Sequence, residues 1–218
     1  MIRNENLDKE IKFIKLAEKL KTEMRHSWLS DGRRESVAEH SWRLSLMALR
    51  YAEKLDQPVD LLKCLKIAII HDLVEVISGD IPVFNVQTIE EKRQKKKAEH
   101  KAMLEIKQNL NDTNGNEIFA LWMEYEEQSS YESKFIKALD KLEAFIQHNQ
   151  ANLESWEYQE KKMLFENKWL IDYCAFDSFL LKFAKKVIDE GLKKLKEGGE
   201  DLAQLRKSVI EKDFLNIS

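Results

Sequence analysis

The sequence predicts an all-α fold, and three observations predict it. Six glycines and two prolines in 218 residues are too few for the turns that an all-β sandwich or barrel needs. Apolar residues recur at three- and four-residue spacing over most of the chain, in runs that open on capping sequences and close on polar or glycine-containing segments. At 43% hydrophobic and 9% aromatic, the chain has apolar material for a real core and a length that suits one domain, or one domain with an appendage.

Phe13, Leu16, Ala17, Leu20 and Met24 share one helix face and predict a first helix over about 6–24. The polar stretch 25–35, with Asp31-Gly32, reads as a loop. Ser36-Val37-Ala38-Glu39 has the form of a capping box, so a second helix starts there and runs to about 55, with Val37, His40, Leu44, Met47, Ala48, Tyr51 and Leu55 inward. Pro58 and Asp60 open a third, carrying Leu61, Cys64, Leu65, Ala68, Ile69, His71, Asp72 and Glu75 and closed by Ser78-Gly79-Asp80. A charged fourth helix begins at Thr88-Ile89-Glu90-Glu91 and continues to about 110, with Lys95-Lys96-Lys97 on a solvated face. After a turn-rich break at 111–116, a short helix is expected over about 117–127 and a longer one over about 132–153, with Phe135, Leu139, Leu142 and Ile146 inward. Beyond Trp156 the pattern supports one more helix, about 177–196, and a final segment of mixed character. No repeat or interdomain linker is evident.

Several classes are disfavoured early. Thirty-six basic against 39 acidic residues give a net charge of −3, so no field draws the chain to nucleic acid or an anionic membrane. Residues 1–6 have no apolar signal core, and the most apolar stretch, 65–76, is interrupted by Lys66, His71, Asp72 and Glu75, so neither a signal peptide nor a membrane span is expected. Cys64 and Cys174 read as buried thiols in a reducing cytosol. Trp42, Trp122, Trp156 and Trp169 read as core or interface material, not as a base-stacking platform.

Chemistry concentrates in few residues. His40 and His71 lie on core-facing stripes, and either alone reads as a hydrogen-bonded core histidine. His71-Asp72, with Glu75 one turn later among Ile69, Ile70, Leu73 and Val76, is harder to explain without a counter-ion. Burial would cost several kcal/mol per uncompensated charge, and a divalent cation answers that cost. Asp140 poses the same question, although a surface aspartate paired with Lys141 or Lys137 fits the spacing equally. Two imidazoles and two carboxylates form a mixed N/O set suited to Mn²⁺, Co²⁺, Fe²⁺, Ni²⁺, Mg²⁺ or Zn²⁺ with positions left open for water and substrate.

His40, then His71-Asp72, then Asp140 resembles the H…HD…D pattern of the HD-domain metal-dependent phosphohydrolases. Arg25-His26-Ser27-Trp28, the block 35–41, His71-Asp72-Leu73-Val74-Glu75 and Gly79-Asp80-Ile81-Pro82 are similar to successive blocks of its 5′-deoxynucleotidase branch, over about 7–153. The resemblance implies an HD-domain helical bundle, read as a single domain over 1–218 with a C-terminal helical extension over about 154–218. It implies one divalent metal on His40, His71, Asp72 and Asp140, with Glu75 positioning or deprotonating the attacking water. Arg25 would contact the phosphate and Asp80 the sugar 3′-hydroxyl, and Trp28 would pack against the sugar or base. For Arg25 and Trp28 a loop salt bridge and a core anchor are the alternatives. The activity implied is hydrolysis of deoxyribonucleoside 5′-monophosphates to nucleoside and phosphate by a cytoplasmic homodimer. Its rivals are nucleotide pyrophosphate or cyclic phosphodiester hydrolysis on the same scaffold, and a non-catalytic metal- and nucleotide-binding protein.

Overall fold

The structure is a computed structural model that describes residues 4–82, 86, 88–110 and 112–215; the start of the N-terminal stretch and Asn111 of the expected break lie outside the described residues. Its helices are α1 (Asn4–Ala17), α2 (Val37–Tyr51), α3 (Leu61–Ile70), α4 (Glu75–Ser78), α5 (Ile89–Leu110), α6 (Thr113–Glu127), α7 (Tyr131–Gln150), α8 (Tyr158–Met163), α9 (Ile171–Cys174), α10 (Ser178–Glu197) and α11 (Leu202–Leu215). A two-stranded sheet of β1 (Met24–Trp28) and β2 (Arg34–Ser36) accompanies them, so the all-α expectation holds. None of the described helices is long and apolar enough to cross a membrane.

The sheet corrects two expectations. α1 gives way to a 3-10 turn over Glu18–Lys21, and Met24 starts β1 instead of ending a helix. The expected loop over 25–35 is a hairpin. Asp31 accepts from the Arg33 amide at 3.1 Å, Gly32 takes φ of +87° as such a turn requires, and the Leu29 amide donates to the Arg33 carbonyl at 2.8 Å.

The chain sorts into two compact units: 1–26, 34–50 and 59–136 in the first, 27–33, 51–58 and 137–218 in the second. In the first unit, the capping box at Ser36 forms as read. The Ser36 amide donates to Glu39 Oε2 at 2.9 Å, and the Glu39 amide to Ser36 Oγ at 3.3 Å. Ile70, Leu73, Val74 and Val76 pack with Val37 and Leu20 against Met103, Ile106 and Leu110 of α5 and Trp122 of α6. This core holds the 70–76 stretch in one place. The break before α6 is shorter than expected: Asp112 caps it by accepting from the Gly115 amide at 2.7 Å, so the helix begins at Thr113. Gly115 is there for space. A Cβ at that position would stand 2.9 Å from Leu110 Cβ and 3.2 Å from the Lys107 carbonyl oxygen. Gly115→Ala is expected to destabilise the protein by about 1–3 kcal/mol despite alanine's better helix propensity, which urea unfolding will measure.

The expected third helix divides. α3 ends at Ile70, and His71 to Val74 continue as tight turns in which the Leu73 amide donates to Ile70 and the Glu75 amide to Asp72, both at 3.0 Å. Gly79, at φ of +74°, then stops α4. Ile69 is 61% exposed, so it belongs to none of the packing around His71. Trp42 is 67% exposed on the outer side of α2 with Leu46 and Leu49, and is not core; Trp122 and Trp156 are buried.

The second unit is built on the later part of α7, with Leu139 and Leu142 buried, and on α10, whose Leu180, Ala184, Val187 and Leu195 are buried. Asp177 caps α10 through the Leu180 amide at 3.0 Å, and Asp56 accepts from the Ser178 amide at 2.6 Å. α8 and α9 are additions that periodicity did not reveal, since each has no more than six residues. Both cysteines are free and buried, and burial pushes each thiol up to about 12.

Candidate metal centre

The centre begins with α2. His40 sits four residues before the fully buried Leu44 on the helix's inward stripe and is itself fully buried, so its ring is aimed into the first unit. His71 caps α3 and is 2% exposed. Its Nδ1–H donates to the Ala68 carbonyl at 2.9 Å, which turns Nε2 toward the centre, and the Tyr125 ring packs edge-on at 5.3 Å to hold the imidazole plane.

His71 Nε2 lies 3.3 Å from His40 Nε2 and 3.0 Å from Asp72 Oδ2, with His40 Nε2 and Asp72 Oδ2 3.8 Å apart. Atoms bound at about 2.1 Å to one ion stand roughly 3.0 Å apart at right angles and 3.4 Å apart at tetrahedral angles. The His71 pairs match that spacing. Two imidazole nitrogens and a carboxylate oxygen at this spacing form a mixed N/O donor set that a divalent cation can occupy in place of the protons the three groups otherwise share. The donor set therefore fits a divalent metal on an observation of the chain alone.

Arg25, on β1, reaches the same carboxylate: its Nη1 is 3.3 Å from Asp72 Oδ2 and its Nε 3.4 Å from Glu35 Oε2. Glu35, 2% exposed, also faces Arg43 Nη2 at 3.9 Å, so a buried anion holds the guanidinium at the site. His71 and His40 beside Asp72, with Arg25, hold its carboxyl well below the ordinary range against the opposing pull of burial. Glu75 behaves oppositely. Burial, then the charges of Asp72 and Asp80, push its carboxyl up to about 10, and its Oε2 is buried without a hydrogen-bond partner. Asp80 is half-buried; burial raises its carboxyl, with Arg25 and Lys95 opposing.

His40, His71, Asp72, Arg25, Glu75 and Asp80 thus gather in the first unit. Trp28 and Asp140 belong to the second. Trp28 is half-buried at the end of β1, its carbonyl accepting from Gln147 Nε2 at 2.6 Å. Asp140 is 6% exposed in α7, and Lys141 Nζ donates to its Oδ2 at 3.0 Å, the pairing its spacing also allowed. Glu35, Tyr125, Glu23 and Lys95 escaped the sequence reading. Glu35 lies inside the motif block 35–41 with nothing in its spacing to mark it; Lys95 looked like its exposed neighbours Lys96 and Lys97.

A model of the HD domain family matches residues 17–169. The chain is 41% identical over 152 residues to a Danio rerio protein named 5′-deoxynucleotidase HDDC2, covering 68% of this chain and 72% of that one. To the Dictyostelium discoideum protein of the same name it is 34% identical over 180 residues, covering 79% and 89%. Its structure is similar to the crystal structure of the "Predicted metal-dependent phosphohydrolase" of Magnetospirillum magnetotacticum MS-1, with a TM-score of 0.72, 28% identity and coverage of 87% and 96%. With the histidine and histidine-aspartate donors gathered at one point and the family pattern spanning most of its length, this chain belongs to the HD domain family.

Proposed function

We propose that this protein is a metal-dependent phosphohydrolase that removes the 5′-phosphate from deoxyribonucleoside monophosphates. The observation that carries this is the convergence of His40 Nε2, His71 Nε2 and Asp72 Oδ2 beside Arg25 and the buried Glu75. The names of its relatives in animals, Dictyostelium and yeasts support the substrate class.

His40, His71, Asp72 and Asp140 hold one divalent cation, Asp140 being assigned by its place in the H…HD…D order and by its burial. When bound, the cation supplies Lewis-acid polarisation and charge neutralisation for phosphoryl chemistry. The chain does the rest. Arg25, held by Glu35, grips the phosphate through its fork of donors. With the cation's charge favouring its ionised form, Glu75 orients the attacking water and accepts its proton as the water oxygen bonds to phosphorus and the phosphorus–O5′ bond breaks, and that proton passes to the departing nucleoside 5′-oxygen. Asp80 accepts from the sugar 3′-hydroxyl, so the substrate is held at both ends, and Trp28 packs beside C2′. The exposed apolar stripe of Trp42, Leu46 and Leu49 supports the homodimer that the family likeness implies. A cytoplasmic setting rests on the family likeness and the free thiols.

A screen of nucleoside mono-, di-, tri- and cyclic phosphates with several divalent ions tests the assignment, with deoxyribonucleoside 5′-monophosphates expected to turn over fastest. Trp28→Ala is expected to raise kcat/KM for AMP relative to dAMP, because truncation relieves a clash with the 2′-hydroxyl; an apolar pocket without such a clash discriminates only about 10²-fold. Asp80→Ala is expected to lose activity on both. Wild type that treats dAMP and AMP alike overturns the deoxynucleotidase reading. Discrimination that survives in Trp28→Ala overturns only the role of Trp28.

A further inference from the structure

The short segment carrying Asp80 is gripped from two directions by side chains that no motif marks. From the turn before β1, Glu23 Oε1 accepts the Asp80 amide proton at 3.0 Å. From α5, Lys95 Nζ donates to the Ile81 carbonyl at 3.2 Å, and Glu99 Oε1, one turn along the same helix, lies 3.4 Å from that ammonium. Gly79 completes the arrangement: its φ of +74° turns the chain out of α4, and a Cβ there would stand 3.5 Å from Glu23 Oε1. Lys95 is 27% exposed, whereas Lys96 and Lys97 beside it face solvent.

We propose that Lys95 and Glu23 are positioning residues for substrate recognition, clamping the Gly79–Ile81 backbone so that Asp80 presents its carboxylate to the sugar 3′-hydroxyl. This rests on the deoxynucleotide reading above. The physical reason is that Asp80 follows a glycine turn, where the backbone has more freedom than elsewhere, and a carboxylate that swings by an ångström loses a hydrogen bond made across a fixed substrate length. One amide and one carbonyl are each fixed, on either side of the Asp80 side chain. Lys95 also brings positive charge near Asp80 and Glu75 without being bonded to either. That charge is the weakest of the influences on Glu75 and acts on all substrates alike, whereas the grip on the acceptor passes through the 3′-hydroxyl and separates them.

The test compares a 2′-deoxyribonucleoside 5′-monophosphate with its 2′,3′-dideoxy analogue in the metal-loaded enzyme. Lys95→Met is expected to lower kcat/KM for the deoxy substrate about tenfold, mainly through KM, and to leave the dideoxy substrate nearly unchanged. Lys95→Arg restores most of the loss, Glu23→Leu behaves as Lys95→Met, and Lys95→Met added to Asp80→Asn costs nothing further. Bound metal and melting temperature stay at the wild-type values. Wild type indifferent to the 3′-hydroxyl overturns the sugar role of Asp80 and the clamp with it. Wild type that discriminates, with variants that lose both substrates equally or neither, overturns the clamp and leaves the deoxynucleotidase reading intact.

Discussion

Asp72→Ala is expected to abolish phosphohydrolysis and to strip bound metal from the purified protein. Asp72 Oδ2 is the atom on which the centre closes, within 3.0 Å of His71 Nε2, 3.8 Å of His40 Nε2 and 3.3 Å of Arg25 Nη1. On the proposed ligand set, removing it takes a ligand from the cation and leaves the Arg25 guanidinium with Glu35 alone of these two partners, so the group assigned to the phosphate shifts as well. The loss should exceed the roughly 10–100-fold that outer-shell changes cost in metal sites, because a donor is lost and not merely its orientation. Elemental analysis of wild type and variant, with activity before and after chelator and after metal is restored, measures it. Equal wild-type rates with and without chelator would sink the metal assignment.

How much of this site could be read from sequence depends on which physical property each residue used. His40 announced itself because a polar ring on the stripe of Val37, Leu44 and Ala48 is a conflict that helix periodicity exposes. His71-Asp72 did so by the same conflict within the most apolar stretch of the chain. The tightening of 71–75 was not legible: no proline or glycine interrupts residues 61–78, and the turns are visible only in which carbonyl each amide chooses. The hairpin was legible in part, since Asp31-Gly32 is a hairpin turn signal, but flanking strands as short as Arg34–Ser36 show no alternation to support it. Glu23, Glu35 and Lys95 were invisible because a charged side chain's contact with a backbone amide, a backbone carbonyl or an arginine of another element leaves no period in the sequence.

Glu75→Gln is expected to keep its metal and its fold while losing about 10²- to 10⁴-fold in kcat, the usual scale for a missing general base. The fold half of that expectation follows from the carboxyl's surroundings. Glu75 is 7% exposed, its Oε2 has no hydrogen-bond partner, and burial with the charges of Asp72 and Asp80 raises it from its ordinary 4.5 to about 10. Between those two values the unfolded chain has released the proton that the folded, metal-free chain keeps. Ionising Glu75 therefore opposes folding, and its contribution to stability falls as pH rises through this window. Glutamine keeps the shape and has no charge to desolvate. Metal-free Glu75→Gln should melt no lower than wild type at pH 8, with the difference shrinking toward pH 4.5. A scaffold residue would behave in the opposite way, losing stability and activity together. The decisive pair of measurements is kcat per bound metal and the melting temperature of the metal-free protein. A variant that loses its metal, yet turns over normally per ion retained, makes Glu75 a ligand; one that keeps metal, melts as wild type and stalls in kcat makes it the base. The influence of the Asp72 and Asp80 charges on Glu75 favours the second outcome, because it puts the carboxyl beside the donor set while the His71 imidazole, fixed by Ala68 and Tyr125, already has its place in it.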